Sequence, residues 1–496
     1  MLALPLNILL LALVAVGAIP LLAGCFQVGF AGLHCLRRRS RVAGDVYPRV
    51  AVVIPAWNEA AVIRRTLDQL AQLEYPRDRL RIYVVDDAST DETPEFVLGK
   101  ASEYPGLIFH LRRERGGEGK AHTINHGLRR IRGEAWYEAV LVIDADVIFT
   151  PASLRRMARH LADPAVGAAT AYIKEGSRPA NYLKRFIAYE YITAQAVARR
   201  AQNVLGVHAC LAGGAQLIRR ESLEAAGGEI DTSTLAEDTV TTFRIQISGK
   251  RVVFEPTAIV WAEKPGNVDG LWKQRLRWAR GNVQVTRLFR HVWLRPNQPG
   301  GLGRVSFGFQ WYSVLLMPLF LVSASSGLIA LFLTHPTLAA PAFRGLWALN
   351  AVAYSFITLS SFSIDPGTAR RCWREGIAYP GLISLAFMAY SIVPADFSAV
   401  GSSALRHVGV DPSASLGETL RLCSYAWMTL AMPAAVGIRR MERHRSVAWL
   451  CGPLVYIVGY GPLQCAVTAT AYIKEFQGAE MRWDKTEKVG AIGELA

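Results

Sequence analysis

The sequence predicts an α/β domain flanked by transmembrane α-helices. Strand and helix signals alternate between residues 45 and 300, whereas the apolar residues that raise the hydrophobic fraction to 51% and the mean hydropathy to +0.20 are concentrated before and after this part. Only 19% of the residues are charged, and this balance excludes a disordered chain, which needs low hydrophobicity and high charge. The formal net charge is +15, and basic stretches that follow apolar segments are typical of cytoplasmic loops in membrane proteins.

We divide the chain into four parts: an N-terminal transmembrane part (1–44), a globular domain (45–300), C-terminal transmembrane or interfacial helices (301–473) and a tail (474–496). Residues 2–36 are almost uncharged and are long enough for one tilted span, or for two short helices that break near Pro20. The apolar stretches of the third part are 306–333, 345–362, 378–400, 418–437 and 447–472.

The basic residues of the connecting segments predict an orientation. They are frequent in 363–376, in 438–446 and in the tail, and rare in 335–343 and 401–416. This asymmetry favours a cytoplasmic location for the basic loops, the tail and the globular domain. The last apolar stretch must then enter and leave the membrane on one side, and Gly-Tyr-Gly-Pro at 459–462 is the expected break of a re-entrant or interfacial hairpin.

The distribution of the basic residues argues against a nucleic-acid-binding site, and the spacing of the cysteines argues against a zinc site. A nucleic-acid-binding protein would show a basic stripe with aromatic residues or a known motif, and the sequence has neither, so we expect no nucleic-acid partner. The seven cysteines are scattered without a CxxC pair and are expected to be reduced. His208 and Cys210 are too few for a zinc site and are expected to be structural.

Acidic residues follow two predicted strands of the globular domain. An apolar strand at 50–55 precedes a helical segment, and the next strand, at 80–85, ends in Asp86 and Asp87. A later strand, at 139–143, ends in Asp-Ala-Asp. Repeated βα units predict a parallel sheet that binds ligands at the carboxyl ends of its strands, where both acidic clusters lie.

Each candidate motif also has a structural interpretation. Asp144 and Asp146, one residue apart, can share a hard cation such as Mg²⁺ or Mn²⁺, but they also suit a polar turn. The Asp86-Asp87 segment suits a turn and a helix N-cap. Glu237 and Asp238 come just before a helical segment at 240–247.

The last motif, Gln-Arg-Leu-Arg-Trp at 274–278, lies in a run compatible with a helix. Gln274, Arg277 and Trp278 then share one face, because residues three and four apart are neighbours on a helix. The alternative is a surface helix with the tryptophan packed underneath.

Together and in this order, these pieces resemble the family 2 glycosyltransferases, and most closely the membrane-embedded processive synthases of cellulose, chitin, hyaluronan and poly-N-acetylglucosamine. The resemblance covers about residues 48–290 and the flanking membrane layout, and it implies a GT-A-type, Rossmann-like domain. The matching pieces are Val-Ile-Pro-Ala-Trp-Asn-Glu (53–59), Val-Asp-Asp (85–87), Gly-Lys-Ala-His-Thr-Ile-Asn (119–125), Asp-Ala-Asp (144–146), Leu-Ala-Gly-Gly (211–214), Glu-Asp (237–238) and Gln-Arg-Leu-Arg-Trp (274–278).

The resemblance implies a role for each matching residue on the donor side. Residues Trp57, Asn58 and Glu59 would line the nucleotide pocket. Asp87, with Asp86 beside it, would hydrogen-bond the uridine. The residues that would contact the rest of the nucleotide-sugar are Lys120, Asp144, Gly213 and Gly214. Asp146, together with Asp144, would hold Mg²⁺ or Mn²⁺.

On the acceptor side, the resemblance implies that Asp238, with Glu237 beside it, is the catalytic base. Gln274 and Arg277 would engage the diphosphate, and Trp278 would stack on the terminal acceptor sugar. The tail contains Trp-Asp-Lys-Thr-Glu-Lys at 483–488. It resembles the short tryptophan-containing gating motifs of related synthases, and Trp483, Lys485 and Thr486 would cover the nucleotide. The alternative is a polar tail whose tryptophan lies at the membrane interface.

The implied enzyme is an inverting hexosyltransferase that polymerises UDP-N-acetylglucosamine or UDP-glucose into a β-linked polysaccharide and passes it across the plasma (inner) membrane. Its partners would be the UDP-sugar, the growing polysaccharide, membrane lipids and an accessory subunit for export. One alternative is a non-processive enzyme that transfers a sugar to a lipid carrier. Another is a membrane transporter with a non-catalytic nucleotide-sugar sensing domain.

Overall fold

The computed structural model describes residues 3–37, 44–297, 299–393, 414–444, 446–481, 490 and 492. The chain divides into two compact units. The first comprises Met1–Val28, Asn267–Ala279 and Phe309–Gln477, and the second comprises Gly29–Gly266, Arg280–Gly308 and Gly478–Ala496. We describe each unit by itself.

The second unit is built on a sheet that has eight strands within the described residues. The strands are β1 (Val50–Ala56), β2 (Leu80–Asp86), β3 (Ile108–Arg112), β4 (Ala139–Val142), β5 (Val147–Phe149), β6 (Val166–Glu175), β7 (Gln216–Arg219) and β8 (Arg251–Ala262). Their order across the sheet is β3-β2-β1-β4-β7-β6-β8-β5. Residues 50–54 of β1 are fully buried, as expected for a strand covered on both faces.

Parallel pairing is confirmed for the three predicted strands, β1, β2 and β4, and β3 is a further parallel strand beside β2. Strand β7 is antiparallel to both β4 and β6, β8 is parallel to β6, and β5 is antiparallel to β8. Strands β4 and β5 are consecutive but are not neighbours in the sheet. A parallel pair of consecutive strands needs a crossover of about a dozen residues, and only the short 143–146 turn separates these two. The result is a mixed α/β sheet.

The helices are α1 (Ala3–Val16), α2 (Ile19–Arg37), α3 (Ile63–Ala71), α4 (Thr93–Glu103), α5 (Lys120–Glu134), α6 (Ser153–Ala158), α7 (Tyr182–Tyr191), α8 (Ala198–Leu205), α9 (Arg220–Ala225), α10 (Glu237–Ile247), α11 (Val268–Leu288), α12 (Val305–Leu315), α13 (Met317–Thr334), α14 (Pro336–Ile364), α15 (Pro366–Ile377), α16 (Leu382–Ile392), α17 (Ala414–Glu442), α18 (Cys451–Val458) and α19 (Tyr460–Phe476). A π-helical segment, Ile192–Val197, joins α7 to α8. Glu237 and Asp238 lie in the first turn of α10, so their predicted position before the helix is wrong by one turn.

Several apolar helices have membrane-spanning length, and two of them, Met317–Thr334 and Pro336–Ile364, lie wholly in the first unit. Within the described residues, Ile19–Arg37, Met317–Thr334 and Pro336–Ile364 are long and apolar enough to cross a membrane, and a fourth span exists if the bent pair α18–α19 is counted as one. Within the predicted stretch 2–36, the described residues 3–36 form two helices with a break at Gly17, just before the predicted break at Pro20. A Cβ atom on Gly17 would lie 2.6 Å from Cβ of Ala324, so this glycine permits close packing of α1 against α13.

The predicted break at 459–462 is confirmed. Helices α18 and α19 meet at Gly459 with a bend of 99°. Gly459 has a φ of 108°, which a residue with a side chain rarely adopts. The predicted apolar stretch at 378–400 is helical over Leu382–Ile392, and its last part, 394–400, lies outside the described residues.

Candidate active site

A buried lysine meets several carboxylates at the carboxyl edge of the second unit's sheet. The Nζ atom of Lys120, the first residue of α5, lies 2.5 Å from Oδ1 of Asp144 and 3.5 Å from Oε1 of Glu237. It also donates a hydrogen bond of 3.2 Å to the carbonyl of Gly213. We call Lys120, Asp144, Glu237 and Asp238 the Lys120 cluster. It joins the turn after β4 to the first turn of α10.

The charge of Lys120 is stabilised by its neighbours. Burial alone would lower its pKa, but Asp144, Glu237 and Asp238 outweigh burial and raise the pKa above its usual value. The lysine is therefore a permanent cation at neutral pH. It is a positive charge in a site that water reaches poorly, because only 9% of its side chain is exposed.

Gly213 and Gly214 leave space inside the Lys120 cluster. A Cβ atom on Gly213 would lie 3.1 Å from Oδ2 of Asp238 and 3.3 Å from Nζ of Lys120. A Cβ atom on Gly214 would lie 2.9 Å from Cγ2 of Val147 and 3.3 Å from Oδ2 of Asp144. Any side chain here would occupy the space between the charged groups, so the two glycines keep that space open for a ligand.

A buried threonine that the sequence did not predict forms a hydrogen bond to the backbone of the Asp-Ala-Asp turn. Thr66 of α3 is fully buried, and its hydroxyl donates a hydrogen bond of 2.7 Å to the carbonyl of Ala145, between Asp144 and Asp146. Thr66 lies on the buried face of an ordinary amphipathic helix. No local sequence signal marks its partner, which is 79 residues away.

We expect Thr66→Val to lower the free energy of unfolding by about 1–3 kcal/mol, because the buried carbonyl of Ala145 loses its partner. Thr66→Ser keeps the hydroxyl and should retain most of the stability. The measurement is the midpoint of thermal unfolding of the three proteins. Equal midpoints for the valine and serine variants would contradict a role for this hydrogen bond.

Asp144 and Asp146 fit a divalent cation whose remaining ligands come from elsewhere. They offer carboxylate oxygens, which Mg²⁺ and Mn²⁺ prefer, and the missing side chain of Gly214 leaves Oδ2 of Asp144 accessible. Within the described residues, no group of three or more His, Cys, Asp and Glu side chains could hold a metal ion. The ion would therefore need oxygens from a phosphorylated ligand or from water, as is usual for Mg²⁺ sites.

The loop after β1 is joined to the loop after β2. The amide of Asn58 donates to the Ser89 hydroxyl at 2.9 Å, and the amide of Thr90 donates to the Asn58 side chain at 2.8 Å. The amide of Glu59 donates to the Thr93 hydroxyl at 2.8 Å. Trp57 is 42% exposed at the start of this loop. The structure thus gathers the predicted nucleotide-pocket residues at one place, with the indole facing solvent.

Asp86 and Asp87 differ in their surroundings. Asp86 is fully buried, accepts a hydrogen bond of 2.9 Å from the Ser89 amide and pairs with Arg112 at 3.1 Å. Burial would raise its pKa, but the neighbouring His110, the hydrogen bond from Ser89 and the charge of Arg112 outweigh burial, and the net pKa is below the usual value. Asp86 is therefore an ionised carboxylate that shapes the turn.

Asp87 is tied to a different loop. It accepts a hydrogen bond of 3.0 Å from the Gly117 amide and pairs with Arg113, which also pairs with Glu118. A Cβ atom on Gly116 would lie 2.0 Å from the carbonyl of Asp87, so only glycine fits there. The loop that leads into Lys120 is thus attached to Asp87. Sequence reasoning named neither Arg112 nor Arg113, because their partners follow a different strand.

His208 is held inside the domain by hydrogen bonds, as expected for a structural residue. His208 is fully buried, and its Nε2 atom lies 2.9 Å from Oδ1 of Asn203. Burial and the nearby Arg199 lower its pKa to about 3, so it is neutral. Gln246 bonds to both the amide and the carbonyl of His208, which anchors the segment before Gly213.

The Gln-Arg-Leu-Arg-Trp motif lies in α11, in the part that belongs to the first unit. Arg275 donates a hydrogen bond of 2.8 Å to the side chain of Gln274, and its guanidinium lies 4.1 Å from the ring centre of Trp278. Arg277 lies within the same two turns. Trp278 is 38% exposed, so the alternative of a tryptophan packed beneath a surface helix is wrong: Arg275 supports one face of the indole by a cation–π contact.

The start of α11 is fastened within the first unit. The carboxylate of Glu442, at the end of α17, accepts hydrogen bonds of 2.9 and 2.7 Å from the amides of Val268 and Asp269. A carboxylate at a helix N-terminus satisfies free amides and interacts favourably with the helix dipole. Arg439 of α17 donates a hydrogen bond of 2.9 Å to Asp269. These contacts set the position of the helix that carries Trp278.

The predicted gating residues Trp483, Lys485 and Thr486 lie outside the described residues. The described residues on either side of them belong to the second unit and form contacts within it. Arg280 donates hydrogen bonds to the carbonyls of Ala479 and Glu480. Farther along, the amide of Gly490 donates a hydrogen bond of 3.0 Å to Glu263, and Ile492 forms a β-bridge with Ser177.

The chain is similar to glycosyltransferases and to a polysaccharide synthase. Residues 48–281 match the family described as "Glycosyltransferase like family 2". The chain is 34% identical over 244 residues to "Probable glycosyltransferase YdaM" of Bacillus subtilis (strain 168), over 49% of this chain and 57% of that protein. It is 28% identical over 255 residues to "Poly-beta-1,6-N-acetyl-D-glucosamine synthase" of Staphylococcus aureus (strain COL), over 51% and 59% respectively. The chain thus spans less than two thirds of the length of these relatives.

A solved structure resembles a larger share of the chain. It is the mannosyltransferase PcManGT from Pyrobaculum calidifontis in complex with GDP-Man and Mn²⁺. The TM-score is 0.55 at 27% sequence identity, and the match covers 73% of this chain and 99% of that one. The mixed sheet described above is therefore the GT-A-like sheet of a glycosyltransferase.

Proposed function

We propose that this chain, whose residues 48–281 match the family described as "Glycosyltransferase like family 2", is a processive, inverting synthase. It polymerises UDP-N-acetylglucosamine or UDP-glucose into a β-linked polysaccharide. The observation that carries the proposal is the Lys120 cluster, which gathers a buried cation and three carboxylates around the open space at Gly213. A diphosphate leaving group needs the cation, and an acceptor hydroxyl needs a base.

The reaction is one displacement at the anomeric carbon. The acceptor hydroxyl oxygen forms the new glycosidic bond, the bond from the anomeric carbon to the diphosphate oxygen breaks, and the configuration inverts. Asp238 takes the hydroxyl proton, with Glu237 beside it. Lys120 stabilises the negative charge that develops on the diphosphate, and Gln274 and Arg277 supply further donors to it.

The donor is held by the loops after β1 and β2. Trp57, with its exposed indole, and the adjoining Asn58 and Glu59 line the nucleotide pocket. Asp87 hydrogen-bonds the uridine. Asp86 acts as a positioning residue, because its carboxylate is fully buried and bonded to the Ser89 amide.

The exposed indole of Trp278 supports processive synthesis. A flat aromatic face suits the apolar face of a sugar ring, and the indole N–H is left for a polar partner. Stacking at the acceptor end lets the chain advance by one sugar and be extended again. Trp483, Lys485 and Thr486 would cover the bound nucleotide from the tail.

Mg²⁺ or Mn²⁺ is the proposed cofactor, held by Asp146 and Asp144, and when bound it neutralises diphosphate charge. The cation in the PcManGT complex is Mn²⁺.

We expect that EDTA abolishes transfer and that Mn²⁺ or Mg²⁺ restores it. We also expect Asp146→Asn to raise the metal concentration needed for half-maximal activity by at least about tenfold, because a charged ligand is lost. Full activity in EDTA would contradict the metal site.

The apolar helices support a location in the plasma (inner) membrane, with several spans and the catalytic domain in the cytoplasm, where nucleotide-sugars are available. The helices of the first unit would guide the polymer across the membrane in contact with lipids, and an accessory subunit would continue its export.

A second candidate function is the transfer of a single sugar, for example to a lipid carrier. It is favoured by the match to a mannosyltransferase, which covers 73% of this chain. In that case GDP-mannose, the ligand of that structure, could replace the UDP-sugar.

One experiment separates these functions. The purified protein is incubated with a panel of UDP- and GDP-sugars and with Mg²⁺ or Mn²⁺, and the product is sized and digested with linkage-specific hydrolases. A long polymer from one UDP-sugar supports the synthase. A product with one added sugar supports the second candidate, and no transfer from any donor overturns both.

A further inference from the structure

The second half of α11 packs against the turn that carries the proposed base. Gly281 is buried, and a Cβ atom placed on it would lie 2.6 Å from Cβ of Ala236 and 3.0 Å from the Ala236 amide nitrogen. Ala236 is the residue directly before Glu237 and Asp238. A contact of 2.6 Å between two carbons is far below their usual separation of about 3.5–4.0 Å, so a side chain on Gly281 would displace this turn.

A hydrogen bond reinforces the same contact one helical turn later. The side-chain oxygen of Gln284 accepts a hydrogen bond of 2.8 Å from the amide of Leu235. The Leu235 amide lies just before the N-terminus of α10, where the backbone donors lack partners within the helix. Gly281 and Gln284 are three residues apart and share one face of α11. That face therefore holds the Leu235–Ala236 segment by close packing and by a hydrogen bond.

We propose that Gly281 and Gln284 are positioning residues for the catalytic base, acting through Ala236 and Leu235 on Asp238. The inference rests on the proposed function, because it takes Asp238 as the base. Asp238 is the second residue of α10, and its Oδ1 accepts a hydrogen bond of 2.7 Å from the Thr239 amide. A shift of Ala236 therefore moves the base together with the first turn of its helix. Trp278, the residue proposed to stack on the acceptor sugar, lies three residues before Gly281 on the same helix. Helix α11 therefore carries both this tryptophan and the two residues that position the base.

The test compares Gly281→Ala with Gly99→Ala. Both substitutions replace a helical glycine with the best helix former, but a Cβ atom on Gly99 would meet nothing within 4 Å. We expect kcat of Gly281→Ala to fall by about tenfold to 100-fold, because a misplacement of about 1 Å costs up to about 100-fold. The donor KM and the affinity for UDP should change by less than about twofold, since neither depends on the base. Gly99→Ala should match the wild type.

Two further variants keep the inference falsifiable if Gly281→Ala folds poorly. Adding Ala236→Gly to Gly281→Ala removes the 2.6 Å contact but leaves the 3.0 Å contact with the backbone nitrogen of residue 236, so it should recover part of kcat. Gln284→Leu removes the acceptor of the Leu235 amide and should lower kcat, whereas Gln284→Glu keeps an acceptor and should retain it. Gly281→Ala and Gln284→Leu proteins with wild-type kcat would overturn the inference. A fully active Asp238→Asn protein would instead overturn the base assignment, so the two failures are distinguishable.

Discussion

Asp238→Asn should abolish polymer synthesis while the protein still binds UDP. Replacing the carboxylate with an amide removes the proton acceptor but keeps the shape of the side chain. General-base catalysis contributes about 100- to 10,000-fold to a rate, so we expect kcat to fall by that factor. Binding should persist, because the proposed nucleotide pocket lies in the loops after β1 and β2, which hydrogen bonds of Asn58 join, and Asp238 is not part of these loops. The measurements are radiolabelled transfer and UDP binding by calorimetry.

Asp78→Asn is the matched control for this variant. Asp78 is exposed in the short helix Arg77–Arg79, between α3 and β2, and the same chemical change there should leave both transfer and binding unchanged. An Asp238→Asn protein that still makes full-length polymer would remove Asp238 from the role of base.

Lys120→Met should have the second-largest effect. The substitution removes the cation that lies 2.5 Å from Asp144 and 3.5 Å from Glu237, and it leaves like charges close together. Loss of one preorganised group that stabilises transition-state charge costs about 100- to 1,000-fold in kcat. We expect a loss of this size together with weaker binding of the nucleotide-sugar, because both ground state and transition state carry the diphosphate.

Lys100→Met is the control, since Lys100 of α4 also pairs with two carboxylates, Asp68 of α3 and Glu103 of α4, away from the Lys120 cluster. It should leave kcat unchanged. A Lys120→Met protein with normal kcat and normal donor affinity would exclude Lys120 from the diphosphate site.

The raised pKa of Lys120 also predicts a pH dependence. A group whose pKa is raised by folding stabilises the protein fully below its unfolded pKa, which is about 10.4 for lysine. This stabilisation is lost only as the pH rises through the still higher folded pKa. The activity of the wild type should therefore show no alkaline loss due to Lys120 below about pH 10. A loss near pH 8 that disappears in Lys120→Arg would contradict this assignment.

Local pattern was enough to predict the first half of the domain. The apolar run at β1 and the acidic ends of β2 and β4 follow from side chains within a few residues of each other, and parallel pairing follows from the helices between the strands. The same reasoning did not identify β5 to β8. Their mixed pairing joins strands that are distant in the sequence, such as β4 with β7 and β5 with β8, and local periodicity carries no signal of such pairs.

Sequence by itself determined the class of the domain, the polar residues at its strand ends and the apolar helices that flank it, because each of these depends on residue type and short spacing. Three contacts are visible only in the tertiary structure. Lys120 donates a hydrogen bond to the carbonyl of Gly213, 93 residues away. Thr66 bonds to the carbonyl of Ala145, and Gly281 packs against Ala236. Such contacts depend on the order of strands in the sheet and on how closely two backbones approach. Neither property is encoded in the local alternation of apolar and polar residues.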